Sequence, residues 1–235
     1  MKKKIVVTGG SGRFGSIIKE VKNSYKIFYP TKKDLDITNI KKIKTYLKKL
    51  KPKYVIHLAG LSRPMLQHEK NISRSIQLNI IGTANLVSVC SKLKIKLIYL
   101  STSYVYEGRK GNYKESDPVM PWNNYGWSKL GGECSVQMYK NSLIVRVSMT
   151  EMPFVHKNAF ANVKINFLYH HEVAKTIFKL INKKGIINLG GKPQTIFNFA
   201  KKSNPNVKKA YANKKIFPTN LTMNLTKIKK ILNKK

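Results

Sequence analysis

Over the first 150 positions, short continuous apolar runs alternate with stretches in which apolar residues recur every three or four places. Ile5-Val6-Val7, Tyr54-Val55-Ile56, Leu97-Ile98-Tyr99-Leu100 and Leu143-Ile144-Val145 show no polar alternation, so both faces of each run are expected to lie under helices. These runs predict strands over residues 4–8, 26–29, 54–57, 97–101 and 143–147. Helical spacing between them predicts helices over 12–22, 40–50, 73–92 and 125–139. In the second of these, Ile40, Ile43, Leu47 and Leu50 share one face, Lys fills the other, and Pro52 stops it. Strand–helix–strand order of this kind stacks βαβ units on a parallel sheet. Beyond residue 150 the regularity weakens to a helix over 171–181, a strand over 186–189 and a basic helix over 225–232. The expected fold class is α/β: a doubly wound parallel sheet in 1–150, then a small, partly interleaved C-terminal region in 151–235.

Composition adds little until charge is considered. A hydrophobic share of 42% in 235 residues supplies the core of one large domain. No apolar run approaches the roughly 20 residues that span a bilayer. Met1-Lys2-Lys3-Lys4 imitates the basic start of an export signal, but Ile5-Val6-Val7 falls short of the ~7–15 apolar residues that should follow. A cytoplasmic protein with no membrane partner is expected. Cys90 and Cys134 fall in expected helices without metal-ligand spacing and read as reduced, half-buried thiols, and no metal site is expected.

The net charge of +36 invites a nucleic-acid reading, since basic patches bind phosphates by releasing counterions. Yet only Arg13, Arg63, Arg74, Arg109 and Arg146 among the 46 basic residues carry the guanidinium fork suited to phosphates and bases. Lysine is instead spread through nearly every segment beside abundant Asn and Ile, as A+T-rich coding would produce. Loose adhesion to polyanions is expected, above all from the last 63 residues with 16 Lys and no acid, but no specific nucleic-acid partner.

Chemistry enters at the first strand. Lys4-Ile-Val-Val-Thr8-Gly9-Gly-Ser-Gly12-Arg13-Phe14-Gly15 runs from an apolar strand through a glycine turn into an amphipathic helix. Gly9 lets the chain turn, Gly12 lets the backbone approach a pyrophosphate, and Gly15 lets helix and strand pack, while the helix N-terminus offers free N–H groups to the anion. That context makes the sheet Rossmann-type and marks Gly9, Gly12, Arg13, Phe14 and Gly15 as dinucleotide-binding.

Thr-Gly-x-x-Gly-x-x-Gly resembles the extended short-chain dehydrogenase/reductase family, and the resemblance continues along the chain. Asp36-Ile37 stands where the family places an acidic–hydrophobic pair against adenine, and His57-Leu58-Ala59-Gly60 is similar to the turn that lies on the cofactor. Asn79, in Asn79-x-x-Gly82-Thr83-x-Asn85-Leu86, matches the asparagine that holds a structural water. Ser101-Thr102-Ser103-Tyr104-Val105-Tyr106-Glu107-Gly108 resembles a run of the dTDP-4-dehydrorhamnose reductases, Tyr125-Gly-Trp-Ser-Lys129 the catalytic helix and Arg146-Val147-Ser148 the strand after it. By this resemblance Thr102, Tyr125 and Lys129 are catalytic, Lys129 also holds the nicotinamide ribose, and 151–235 is a substrate-binding region.

Tyr-x-x-x-Lys alone selects nothing: 12 Tyr and 41 Lys give about two matches by chance, and four occur, at Tyr29, Tyr106, Tyr125 and Tyr211. Only Tyr125 opens an expected helix after a hydroxyl-rich strand end. Four residues apart on a helix, Lys129 is expected to place its ammonium near the Tyr125 hydroxyl and favour its ionisation. Thr102 is expected to hold the substrate oxygen.

The positions after Thr102 are Ser103 and Tyr104, not the Asp-Glu pair that sugar dehydratases of this family carry, so dehydration is not expected. The expected activity is reduction of a nucleotide-diphospho-4-keto-6-deoxy sugar. A nucleotide-sugar 4-epimerase and a non-catalytic dinucleotide sensor or polyanion binder remain alternatives. Ser103, Tyr104 and His156 are the polar candidates for substrate contact, and a homodimer is left open. After the second strand, Tyr29-Pro-Thr-Lys32-Lys33 offers no acid for a ribose hydroxyl, while Arg13, Lys32 or Lys33 can meet a 2′-phosphate, so NADP(H) is expected over NAD(H).

Overall fold

In a computed structural model that describes residues 2–233, the expected strands join one parallel sheet. Met1 of the basic N-terminal run and Lys234 and Lys235 of the basic C-terminal stretch lie outside the described residues. The sheet contains β1 (Lys4–Thr8), β2 (Lys26–Phe28), β3 (Tyr54–His57), β4 (Lys96–Thr102), β5 (Ser142–Val147) and β10 (Gly185–Leu189), in the order β10-β5-β4-β3-β1-β2. β1 pairs with β2 on one side and β3 on the other, so the winding reverses beside β1, the point where doubly wound sheets bind ligands.

Apolar residues of successive positions divide between two cores. Ile5 and Val7 of β1 face α1 (Arg13–Glu20), α7 (His170–Leu180) and α9 (Thr226–Leu232) through Phe14, Ile18, Val173, Ile177 and Ile228. Val6 faces α2 (Ile40–Leu50) and α5 (Gly82–Lys92) through Ile43, Leu47, Leu86 and Cys90, with Val136 of α6 (Asn124–Gln137) nearby. Burial on both sides explains why the strands read as unbroken apolar runs.

The expected helix over 73–92 is three pieces: α4 (Ile72–Ser75), a wide π-helical turn over Ile76–Ile81, and α5. Asn71 accepts from the Arg74 N–H and starts it. A short α3 (Leu66–Lys70) precedes it, and a 3-10 turn (Ser103–Val105) follows β4; neither is visible as periodicity. The irregular C-terminal part forms α8 (Ile196–Lys201) and three two-stranded pieces: β6 (Met149–Thr150) with β9 (Leu168–Tyr169), β7 (Asn158–Phe160) with β12 (Lys208–Ala210), and β8 (Lys164–Ile165) with β11 (Gln194–Thr195). Strands of two or three residues are too short for an alternating pattern to register. The cysteines need correcting: Cys90 is fully buried, with its thiol pushed up to about 12 by burial, and Cys134 is exposed, because they sit on opposite kinds of helix face. Among the described residues no helix is long and apolar enough to cross a membrane, and no group of three His, Cys, Asp or Glu side chains is placed to hold a metal.

One polar cluster locks α6 to the sheet. Glu133 of α6 is 0% exposed and Arg146 of β5 is 2% exposed. Arg146 donates from Nε to both Glu133 oxygens at 3.1 Å and from Nη2 to Oε2 at 2.7 Å. Its Nη1 donates to the Tyr106 hydroxyl at 2.9 Å, which donates to Asn188 Oδ1 of β10 at 2.9 Å. Burial works against the Arg146 charge, but Glu133 and Tyr106 hold its pKa above the usual value. Tyr106, one of the four Tyr-x-x-x-Lys matches, is thus a structural hydroxyl. The approach of α6 also needs Gly132, where a Cβ would lie 2.5 Å from the Tyr99 hydroxyl.

Glu133→Gln keeps the side chain's shape but leaves Arg146 buried without its counter-charge. The expected loss of stability, by chemical denaturation, is about 3–5 kcal/mol. Glu20→Gln, which removes an exposed pair with His171, is expected to leave the midpoint nearly unchanged.

Candidate active site

The glycine loop leaves β1 at the winding reversal. Gly9 has φ +72°, and a Cβ there would lie 2.6 Å from the Ala59 nitrogen, so Leu58-Ala59-Gly60 and the loop touch directly. No side chain caps Gly12 at the start of α1, and no acid occupies its first turn, leaving N–H groups for an anion. The Phe14 side chain is 7% exposed and buried in the core, which corrects its assignment: only its backbone can meet a cofactor.

A chain of buried hydrogen bonds fixes the floor of this cleft. Thr8 Oγ1 lies 2.8 Å from His57 Nδ1, His57 Nε2 lies 3.0 Å from Thr83 Oγ1, and Thr83 donates to the Asn79 carbonyl at 2.8 Å. Assigning donors along that chain makes His57 a neutral imidazole with its hydrogen on Nε2. Burial, helped by Lys129, lowers its pKa to about 3. Asn79 sits in the wide turn and spends both amide hydrogens, on the Leu61 carbonyl and Ser128 Oγ, while its oxygen accepts from the Leu61 N–H. Asp36 accepts from the Thr38 N–H and hydroxyl, and Lys32 lies 3.8 Å from it. Ile37 is buried beside it, and Asn85 donates to its carbonyl.

Thr102 ends β4, and α6 brings Tyr125 and Lys129 to the same end of the sheet. Asn123 accepts from the Gly126 N–H and starts the helix one residue before the expected 125. Tyr125 is half-buried; burial lifts its phenol to about 12, against the pull of Thr102 and Arg63. Lys129 is half-buried with Nζ 4.1 Å from the Tyr99 ring centre; burial lowers its pKa to about 7, against Glu133. This corrects the expected Lys129–Tyr125 pairing. The ammonium rests on Tyr99, and the cation that favours the Tyr125 phenolate is Arg63.

The substrate candidates separate. Ser103 is 0% exposed and bonded to the Ser148 hydroxyl, so it fastens β4 to the end of β5 and is withdrawn as a substrate contact. Tyr104 is half-buried, edge-on to Tyr125 at 5.9 Å and beside Trp122 at 5.6 Å. His156 is exposed, edge-on to Phe154, with Nε2 3.5 Å from Arg63 Nη1.

Glu151 is the feature that pattern reading missed. Arg63 Nη2 donates to it at 3.0 Å, and Arg13 Nε lies 3.6 Å away. Burial opposes its charge, but its own backbone N–H and Arg63 hold the carboxyl below the usual carboxylate range. Arg13 thus lies beside Glu151 and Lys32 beside Asp36, and both, with Lys33, stay candidates for the expected 2′-phosphate contact. The available signal was scarcity, since Arg13 and Arg63 are two of five arginines and Glu151 one of ten acids.

The sequence profile of the family described as RmlD substrate binding domain matches residues 2–163. The dTDP-4-dehydrorhamnose reductase of Aggregatibacter actinomycetemcomitans is 28% identical over 152 residues, 63% of this chain and 51% of that protein. Methionine adenosyltransferase 2 subunit beta of Xenopus laevis is 30% identical over 155 residues, 62% of this chain and 46% of that protein. These matches span about half the length of either relative. The crystal structure of dTDP-4-dehydrorhamnose reductase from Bacillus anthracis str. Ames in complex with NADP superposes with a TM-score of 0.87 at 27% identity, over 100% of this chain and 92% of that one.

Lysine side-chain NMR tests the electrostatics of this cleft directly. One amine is expected to titrate at about 7 and to vanish in Lys129→Met. An ordinary lysine titration for Lys129 would show that its ammonium is solvated.

Proposed function

The chain belongs to the RmlD substrate binding domain family, and from that we propose that it is an NADP(H)-dependent reductase of a nucleotide-diphospho-4-keto-6-deoxy sugar. The observation that carries this reading is the meeting of Thr102, Tyr125 and Lys129 at the end of the sheet that also holds the glycine loop.

The residues present fit a dinucleotide. Gly9, Gly12 and Gly15 with the uncapped start of α1 would hold its pyrophosphate, Leu58-Ala59-Gly60 would lie along it, and Asp36-Ile37 would meet the adenine. Asn79 orders the floor through Leu61 and Ser128, and Lys129 would hold the nicotinamide ribose. The bound dinucleotide supplies a hydride.

Thr102 donates to the substrate carbonyl and fixes its carbon, and Tyr125 delivers the proton to the oxygen. A phenol lifted to about 12 keeps its proton throughout the neutral range. A protonated phenol is the form that donates during reduction. Tyr104 lines the substrate side, and residues 151–235 supply the remaining substrate contacts. The Xenopus laevis relative raises a second reading, a binding subunit without turnover; the presence of all three polar groups favours the enzyme.

Tyr125→Phe is expected to bind dinucleotide normally and lose about 10²–10⁴-fold in keto-sugar reduction. Lys129→Met should lose turnover and weaken dinucleotide binding together, while Tyr211→Phe, on an exposed residue, should change neither. Near-wild-type reduction by Tyr125→Phe would remove the assignment, and binding of dinucleotide without turnover of any keto-sugar by the unaltered chain would favour the subunit reading.

Cofactor choice has its own test. Fluorescence titration is expected to show tighter binding of NADPH than NADH, with the preference reduced in a Lys32→Glu, Lys33→Glu double variant. Tighter NADH binding by the unaltered chain would reverse the assignment.

A further inference from the structure

Coding bias toward lysine accounts for solvated cations, but not for two arginines that converge on one carboxylate. Arg13 comes from the first turn of α1, Arg63 from the loop after β3, and Glu151 from the segment after β6. Thr150 Oγ1 also donates to Glu151, at 3.2 Å. Three separate parts of the chain are thus tied at one point on the cleft.

Arg63 is held but not used up. A guanidinium carries five N–H donors. One goes to Glu151 at 3.0 Å, and a second faces His156 at the long distance of 3.5 Å. The side chain is only 23% exposed, so its other donors lie largely within the cleft wall. Its charge acts on both Tyr104 and Tyr125, which places it beside the reacting group rather than out on the surface. Around it stand Arg13, the carboxylate of Glu151, and the imidazoles of His156 and His170, whose pKa values burial and the arginines lower. Two guanidiniums against one carboxylate leave one positive charge in excess, and a planar fork oriented by that carboxylate is suited to an oxyanion with paired oxygens. Preorganisation by Glu151 lowers the entropic cost of presenting it.

We propose that Arg63 is a substrate-recognition residue, whose guanidinium, oriented by Glu151, takes the sugar-linked phosphate of the nucleotide-diphospho sugar. Glu151 is a positioning residue, and through Arg13 it sets the substrate loop relative to the cofactor loop. This rests on the reductase reading, since it needs a diphosphate-bearing substrate beside Tyr125.

The test uses the full chain saturated with NADPH, so that the pyrophosphate loop is filled, and titrates thymidine diphosphate and uridine diphosphate as probes. Arg63→Met is expected to weaken binding of the preferred probe at least about 10-fold and to raise KM more than it lowers kcat, with the NADPH Kd within about twofold of wild type. Arg63→Lys should recover little of this, because an ammonium cannot reproduce the fork. Glu151→Gln should weaken the probe by a smaller factor. Unchanged probe affinity and KM in Arg63→Met would overturn the proposal, and so would a parallel loss of NADPH binding, which would make Arg63 a structural residue. If the unaltered chain binds NADPH but neither diphosphate and reduces no keto-sugar, the reductase reading itself fails. Normal binding and turnover with silent Arg63 variants removes only the role of Arg63.

Discussion

The buried ion pair between Glu133 and Arg146 sets the rotation of α6, and the chemistry of the cleft depends on that rotation. Tyr125, Lys129 and Glu133 follow one another at intervals of four, so they share a helix face. Anchoring Glu133 against the centre of the sheet therefore decides where the two residues above it stand. A buried pair of this kind contributes little net stability compared with apolar packing, because desolvating both charges offsets their attraction. Its value lies in orientation. A leucine pair could pack at several rotations, whereas a carboxylate receiving three guanidinium contacts admits one.

The same economy runs through the protein. Acids are ten against 46 basic residues, and several have fixed duties. Glu133 holds α6, Glu151 gathers Arg13 and Arg63, Asp36 closes the turn at Thr38, and Glu115 accepts from the Asn188 N–H beside the Arg146 cluster. Lysine, by contrast, mostly occupies solvated helix faces. Lys129 is the informative exception, since burial lowers its pKa to about 7 in a strongly cationic chain, while Glu133 and its seat on the Tyr99 ring favour the charged form. The cleft is thus assembled from a few scarce groups on a background of abundant ones.

Burial, more than pairwise charge, sets the proton affinities of the proposed reacting groups. It lifts the Tyr125 phenol, lowers the Lys129 amine and keeps His57 neutral as a link between β1, β3 and the wide helical turn. Burial alone makes Tyr125 a weaker acid, and Thr102 and Arg63, which pull its pKa down, are the groups that favour the phenolate left when it gives up its proton. The wide turn contributes by presenting Asn79 to Leu61 and Ser128, which joins the floor of the cleft to α6.

The sequence by itself determined the layered α/β fold, the glycine loop and the position of Tyr125 and Lys129 on one helix. Each of these is written in local order: unbroken apolar runs, glycines at a strand-to-helix junction, and residues four apart. It could not settle directions. Ser103 turns inward to Ser148 and Phe14 enters the core, although spacing alone allowed each to face the cleft, while within it Lys129 rests on Tyr99 and Arg13 lies beside Glu151. The cluster of Arg63, Glu151 and His156 was also invisible, because its members lie 88 and 93 residues apart along the chain. Periodicity records which residues share a helix or strand face, whereas burial and the choice of an ionic partner depend on elements that meet only when the sheet is wound.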